Sequence, residues 1–285
     1  MDIVINGKPA NITLDTEKNL GDVLAGIEQW ISPLGNRIRG ISVNGKAISE
    51  DALPNAFKLE IGGIEKLDIA VSSWKELAAE ALGHLKEICA LYENTAFQER
   101  ANIRSSWEES AAARFIKSDI PDIYNLAALA LSGEGLSARD LAVIVEERLR
   151  ELANTWMEIG LTENPVKNIA KRMEELPLDL QTGKDQRAAE TIQLFAGSGE
   201  KLFRIFSILK SEGLPLDSLD IDELPVKAFM EGFNDALKEL SLAYENRDTV
   251  LVGDLAEYEL APRLIKLYSA IKNFSEQSYS LASKP

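Results

Sequence analysis

The fold of the N-terminal part of the chain is decided by residues 2–14, which read DIVINGKPANITL. Residues 2–5 are rich in β-branched side chains, which are enriched in strands. Asn6-Gly7 follows at once, and this dipeptide favours a two-residue hairpin turn because both positions tolerate positive φ. Residues 10–14 supply the returning strand. The stretch therefore predicts a β-hairpin.

A helix and further strands are predicted after this hairpin. Asp15 or Thr16 is a suitable N-cap, and Pro33 and Gly35 end the helix. Its apolar residues have helical spacing: Leu20, Val23, Leu24, Ile27 and Ile31. Extended segments are predicted in order at residues 38–43, at 47–48 after the Asn44-Gly45 turn, at 57–61 and at 67–71. Two strands, one helix and four further extended segments in this order predict a small mixed sheet crossed by one helix.

This pattern resembles the ubiquitin-like β-grasp, and within it the sulfur-carrier proteins of thiamine and molybdopterin synthesis. The matching residues, 3–8, 19–24 and 41–46, lie in the first quarter of the chain. The carriers act through a free C-terminal Gly-Gly, whereas here Gly62-Gly63 precedes the last strand and is expected to form a turn or bulge. The resemblance therefore implies a β-grasp fold used as a binding module. It does not imply sulfur transfer.

Helical periodicity replaces the strand signals from Trp74 onward. We therefore predict an α+β fold, with a ubiquitin-like β-grasp domain at residues 1–72 and an all-α helical bundle at residues 73–285. A sub-boundary is expected near residue 177 or in the acidic, proline-bearing connector at residues 213–225. Gly197-Ser198-Gly199 is expected to separate two helical pieces.

A short segment occurs twice in the helical part. Residues 85–94, LKEICALYEN, align without gaps on residues 237–246, LKELSLAYEN, with six of ten positions identical. One interpretation is a duplicated helical hairpin, and the other is chance, because Leu, Lys and Glu are common helix formers.

Composition excludes several classes of function. The chain has 31 Lys and Arg, 46 Asp and Glu, and a formal net charge of −15, which disfavours binding to nucleic acid or to an anionic membrane. One His and one Cys cannot build a usual zinc site, and no cofactor is predicted. The start of the chain carries no signal-peptide pattern and no apolar run is long enough to span a bilayer, so we expect a cytoplasmic protein without membrane insertion.

Reactive residues are sparse in the sequence. His84, at the edge of its helix's apolar stripe, is either a general base or a boundary residue, and the second interpretation is favoured. Cys89 lies inside the stripe and is expected in the core. Two glycine-containing strings, at residues 181–185 and 197–201, lack the phosphate-loop pattern and do not follow a predicted strand.

Charged residues on apolar helix faces are the candidate ligand-binding residues. Arg148 falls within one apolar stripe, and Asp254 falls on the face that also carries Tyr258. An inward-facing Arg and Asp are costly to bury unless they are paired, so we predict that they meet each other or line a pocket with Tyr258. The alternative is a purely structural pair, or an Arg148 that reaches water.

The sequence favours a non-enzymatic adaptor or scaffold that binds protein partners, either other proteins or a second copy of the chain. The basis for this expectation is that no nucleophile–base pair, metal cluster or complete phosphate loop is found. The alternative is a regulatory protein or enzyme with a small-molecule pocket between helices of the α part, which leaves an enzymatic role open.

Overall fold

A computed structural model describes residues 1–14 and 16–282, and the side chains among them except those of residues 50 and 277–282. The N-terminal part contains a five-stranded mixed sheet with strand order β2-β1-β5-β3-β4. Strand β5 pairs in parallel with β1 and antiparallel with β3. The strands are β1 (Asp2–Ile5), β2 (Lys8–Pro9), β3 (Asn36–Val43), β4 (Lys46–Ala47) and β5 (Lys66–Ser73). Helix α1 (Leu20–Ile31) packs its buried apolar face against this sheet.

Both predicted Asn-Gly turns are confirmed. Asn6 and Gly7 have φ of 48° and 77°, and Asn44 and Gly45 have φ of 50° and 77°. These positive values match a type I′ turn, whose twist fits a hairpin. Each asparagine also uses its side chain: Asn6 exchanges two hydrogen bonds with the backbone of Val71 in β5, which fixes the turn against the sheet.

Three details of the sheet domain differ from the sequence prediction. The N-cap of α1 is Asn19, whose side chain and that of Asp22 form a capping box, so the helix begins later than expected; Asp15 lies outside the described residues. Residues 57–61 do not form a strand of the sheet. They follow α2 (Leu53–Ala56) as a turn, Glu60 makes one isolated antiparallel bridge to Asn19, and Ile61 begins a 3-10 turn, Ile61–Gly63. The strand that returns from the first turn is β2, at residues 8–9, and the ladder does not continue into residues 10–14.

The remainder of the described chain is mostly helical, which confirms the α+β class. The helices are α3 (Trp74–Asn94), α4 (Arg100–Glu108), α5 (Ala111–Asp119), α6 (Pro121–Ser132), α7 (Ala138–Ala153), α8 (Thr155–Glu174), α9 (Leu176–Gln181), α10 (Asp185–Ser211), α11 (Val226–Glu245), α12 (Thr249–Asp254) and α13 (Ala261–Ala282). The described residues divide into two compact units, one within 1–149 and 211–213, and the other within 150–210 and 214–282.

Several helical boundaries depend on tertiary packing. Gly197 and Gly199 lie inside the 27-residue helix α10, so the predicted break is wrong. Gly199 is instead the point at which α10 meets the Phe233 ring, since an added Cβ would lie 3.2 Å from Phe233 Cε1. The helical stretch from residue 138 is divided at Asn154 into α7 and α8.

The acidic connector contains a short hairpin, and a π-helical segment follows α12. Strands β6 (Asp220–Ile221) and β7 (Leu224–Pro225) pair around Asp222 and Glu223. The π-helical segment, Leu255–Leu260, lies between α12 and α13. The two copies of the repeated segment lie at the C-terminal ends of α3 and α11, and their common origin stays a prediction.

Candidate functional site

The sheet domain is joined to the first helices by charged contacts around Asp119, the last residue of α5. Its carboxylate accepts a hydrogen bond from Trp74 Nε1 at 3.2 Å and pairs with Arg37 of β3 at 2.6 Å. A carboxylate is disfavoured at a helix C-terminus, where the dipole is negative, so the Arg37 cation offsets that cost. A second pair joins Arg39 of β3 to Glu80 of α3 at 2.8 Å.

A cleft of about 760 Å³ lies between β3, α3 and α5, inside the first compact unit. Helix α3 contributes Leu77, Glu80, His84 and Glu87, which share one helical face because they are three or four residues apart. Helix α5 contributes its first turn and Phe115. The volume is in the range of small-molecule sites.

The polar groups of the cleft differ in how they are partnered. The Glu80 carboxylate is neutralised by Arg39, and the His84 ring centroid lies 6.0 Å from that of the buried Trp107. Ser110 Oγ caps α5 by accepting from Ala113 N at 3.0 Å. Glu87 forms no ion pair and no side-chain hydrogen bond among the described residues. Among them, no group of three His, Cys, Asp or Glu residues could hold a metal ion.

A second concave surface lies on the sheet domain, between residues 10–14 and α1. This groove, which we call the Trp30 groove, has a volume of about 480 Å³ and is lined mainly by Ala10, Ile12, Leu14, Val23, Ile27 and Trp30. Trp30 is 60% exposed. Large exposed aromatic groups beside an apolar groove are a common feature of interaction sites.

The residues predicted to bind a ligand have other surroundings. Arg148 pairs with Asp122 of α6 at 3.2 Å within the first unit. Asp254 and Tyr258 belong to the second unit and are exposed, Tyr258 to 67%, so the expectation that Asp254 turns inward is wrong. The nearby charge of Glu257, and then that of Asp254, raises the pKa of the Tyr258 hydroxyl. A ligand role for these three residues stays a prediction.

The other reactive candidates are used structurally. Cys89 is buried, and burial raises the pKa of its thiol to about 11, which keeps it protonated and unreactive at neutral pH. Beside Gly183, the two cations Lys184 and Arg187 contact the carboxylate of the buried Asp179 at 3.6 and 3.2 Å. These two cations are therefore already paired with a carboxylate of the chain itself.

Sequence analysis missed a cluster of buried charges in the second unit. Glu151 and Glu158 are buried and face Lys201 and Arg204 of α10, with Lys201 Nζ 2.9 Å from Glu158 Oε2. A signal was present, because Glu151, Thr155, Glu158 and Thr162 repeat at spacings of four, three and four and so share one helical face. Thr155 and Thr162 are also buried.

Two family models match parts of the chain. The model described as "TP0873 N-terminal domain" matches residues 1–73, and the model described as "Domain of unknown function (DUF8042)" matches residues 162–270. No curated protein and no solved structure matches the chain. Among residues 1–14 and 16–282, no helix has the length and apolar character that a bilayer span requires.

Proposed function

We propose that the chain is a non-enzymatic adaptor, and that its sheet domain, a β-grasp-like binding module, holds an apolar extended segment of a partner protein in the Trp30 groove. The observation that carries this proposal is the exposure of the Trp30 ring beside the groove. Trp is among the residues that contribute most to protein interfaces, because its large ring is desolvated on binding.

The backbone beside the groove supports an extended occupant. Residues 10–14 alternate between half-buried and exposed, as a strand does, but the sheet gives them no ladder partner. Within the described chain, the amides of Asn11, Thr13 and Leu14 make no backbone hydrogen bond. A partner segment with alternating apolar residues can place its side chains in the groove and pair with these amides.

The test uses peptides selected from a displayed library against the full chain. We expect enriched peptides to alternate apolar and polar residues, and Trp30→Ala to weaken their binding by about tenfold or more. Replacement of alternate peptide amides by esters should also weaken binding, since an ester carbonyl is a weaker acceptor for the amides of Asn11 and Thr13. Phe97→Ala is the control, because Phe97 is 80% exposed and lies outside the groove. Failure to enrich peptides, or equal binding to the Trp30→Ala variant, would contradict the proposal.

A further inference from the structure

The cleft between β3, α3 and α5 has a polarity that selects one class of ligand. Its apolar wall is formed by Ile38 of β3, Leu77 of α3 and Phe115 of α5. The remaining lining residues include five small ones, Ala79, Ala81, Gly83, Ala111 and Ala112, which leave the interior open. A Cβ added at Gly83 would have no neighbour within 4 Å. Such a wall favours an apolar ligand body.

The charges of the cleft are unequal at its two ends. At one end, the Arg39–Glu80 pair presents no net charge. Further along the same face of α3, about 10 Å away at 1.5 Å per residue, lies Glu87, whose carboxylate has no partner among the described residues. The cleft therefore offers one uncompensated negative charge at a distance from its apolar wall.

We propose that this cleft binds a small organic cation that carries an apolar body, with the ammonium group on Glu87 and the apolar body against Leu77 and Phe115. An anionic ligand is disfavoured because it would face Glu87, and a neutral one gains no electrostatic attraction from this exposed carboxylate. The inference goes beyond the adaptor function, since the cleft and the Trp30 groove share no lining residue.

The cleft contains a natural reporter of binding. His84 lines it and is the one histidine of the chain, so its imidazole Cε1–H resonance can be assigned without ambiguity. We would titrate the full chain with 2-phenylethylammonium, 2-phenylethanol and 3-phenylpropionate, which share a phenyl body and differ in the charge of the polar end. The ammonium compound should shift the His84 resonance and bind about threefold to tenfold more tightly than the alcohol. The carboxylate should bind weakest.

Two variants separate the charge from the shape of the site. Glu87→Gln should abolish the preference for the ammonium compound while the alcohol binds as before. Glu93→Gln, on an exposed position of α3 outside the cleft, is the matched control and should change nothing. Ala111→Trp, on an exposed position that lines the cleft, should block all three compounds.

Three results would overturn the inference. They are equal affinity for the three compounds, a preference for the ammonium that survives in Glu87→Gln, and no movement of the His84 resonance at about 10 mM ligand, where a fragment of this size should bind. Each result leaves the peptide-binding test at the Trp30 groove undecided, so the two proposals fail independently.

Discussion

The guanidinium of Arg204 donates two hydrogen bonds to the carboxylate of Glu151, from Nε to Oε2 at 3.0 Å and from Nη2 to Oε1 at 2.9 Å. Glu151 is 0% exposed. Its negative charge can be buried because the Arg204 guanidinium binds the carboxylate through two hydrogen bonds. Lys201 extends the contact to Glu158. The four charges connect the α7–α8 region to α10 and fix how these helices align.

Removing one member of this cluster should be costly. Glu151→Ala leaves Arg204 without its carboxylate in a largely dry environment, and we expect a loss of about 2–3 kcal/mol in the free energy of unfolding, measured by urea denaturation. Glu151→Leu combined with Arg204→Leu should lose less, because no unpaired charge remains. The control is Asp235→Ala, which breaks an exposed pair with Lys238 and should change stability by less than about 0.5 kcal/mol. If Glu151→Ala lowered the free energy of unfolding no more than Asp235→Ala does, the buried pair would contribute no more to stability than the exposed one.

The stability of the second unit should depend on pH through Glu163. Hydrogen bonds from Lys167 at 2.7 Å and Lys272 at 2.8 Å lower the pKa of this carboxyl from 4.5 to about 2. A group with a lowered folded-state pKa stabilises the protein above its unfolded pKa and loses that effect as pH falls. We therefore expect the stability advantage of the native chain over Glu163→Gln to be constant above pH 5 and to narrow as pH falls from about 4.5 to 2.

The measurement is urea denaturation of both chains at closely spaced pH values. Glu239→Gln serves as the control, because Glu239 is an exposed helical glutamate for which no ion pair is found among the described residues. The difference between this control and the native chain should show no step in the same pH range. A constant difference between the native chain and Glu163→Gln down to pH 2 would contradict the prediction.

Short-range sequence patterns predicted the turns and the helix of the sheet domain. Features that depend on tertiary contacts were not predicted. Asn6-Gly7 and Asn44-Gly45 specify their turns through backbone preference alone, and the apolar spacing of α1 reports its buried face. The cleft could not be predicted, because Ile38, His84 and Phe115 belong to three elements that only the packed structure brings together. The adaptor function and the ligand class stay proposals for the same reason.

The misplacement of Asp254 has a specific physical cause. Val250, Asp254 and Tyr258 lie four residues apart, so they share one helical face, and in the structure that face is exposed. The face that is buried carries Val252, Leu255, Ala256 and Leu260, whereas Val250 and Tyr258 are exposed. Because Val250 and Tyr258 are large and apolar but exposed, they placed the predicted inward face on the wrong side of the helix.

The hairpin at residues 220–225 should gain stability from one substitution. Asp222 and Glu223 have φ of 57° and 64°. Residues other than glycine and asparagine adopt this left-handed backbone conformation at a cost in free energy. Glu223→Gly removes the strain at the second position and keeps Asp222, whose carboxylate pairs with Lys266 at 2.7 Å. We expect the free energy of unfolding to rise by about 0.5–1 kcal/mol. The reverse change at the equivalent turn position, Gly45→Ala, should lower it, and a loss of stability in Glu223→Gly would contradict this account.

Two glycines of α10 provide a matched pair for the packing of the second unit. Gly199 is buried against Phe233, and that ring is itself held by Phe195, stacked at 5.9 Å, and by Phe203, edge-on at 5.5 Å. Because the ring has little room to move, the methyl group of Gly199→Ala should create a clash that outweighs the helix preference of alanine, for a net loss of about 1–3 kcal/mol. Gly197 is exposed with no neighbour within 4 Å of an added Cβ. Gly197→Ala should therefore stabilise the chain by about 0.5–1 kcal/mol, as expected for an open position inside a helix. Thermal and urea unfolding of the two variants check the contrast, and equal stabilisation by both would mean that α10 does not approach Phe233 at Gly199.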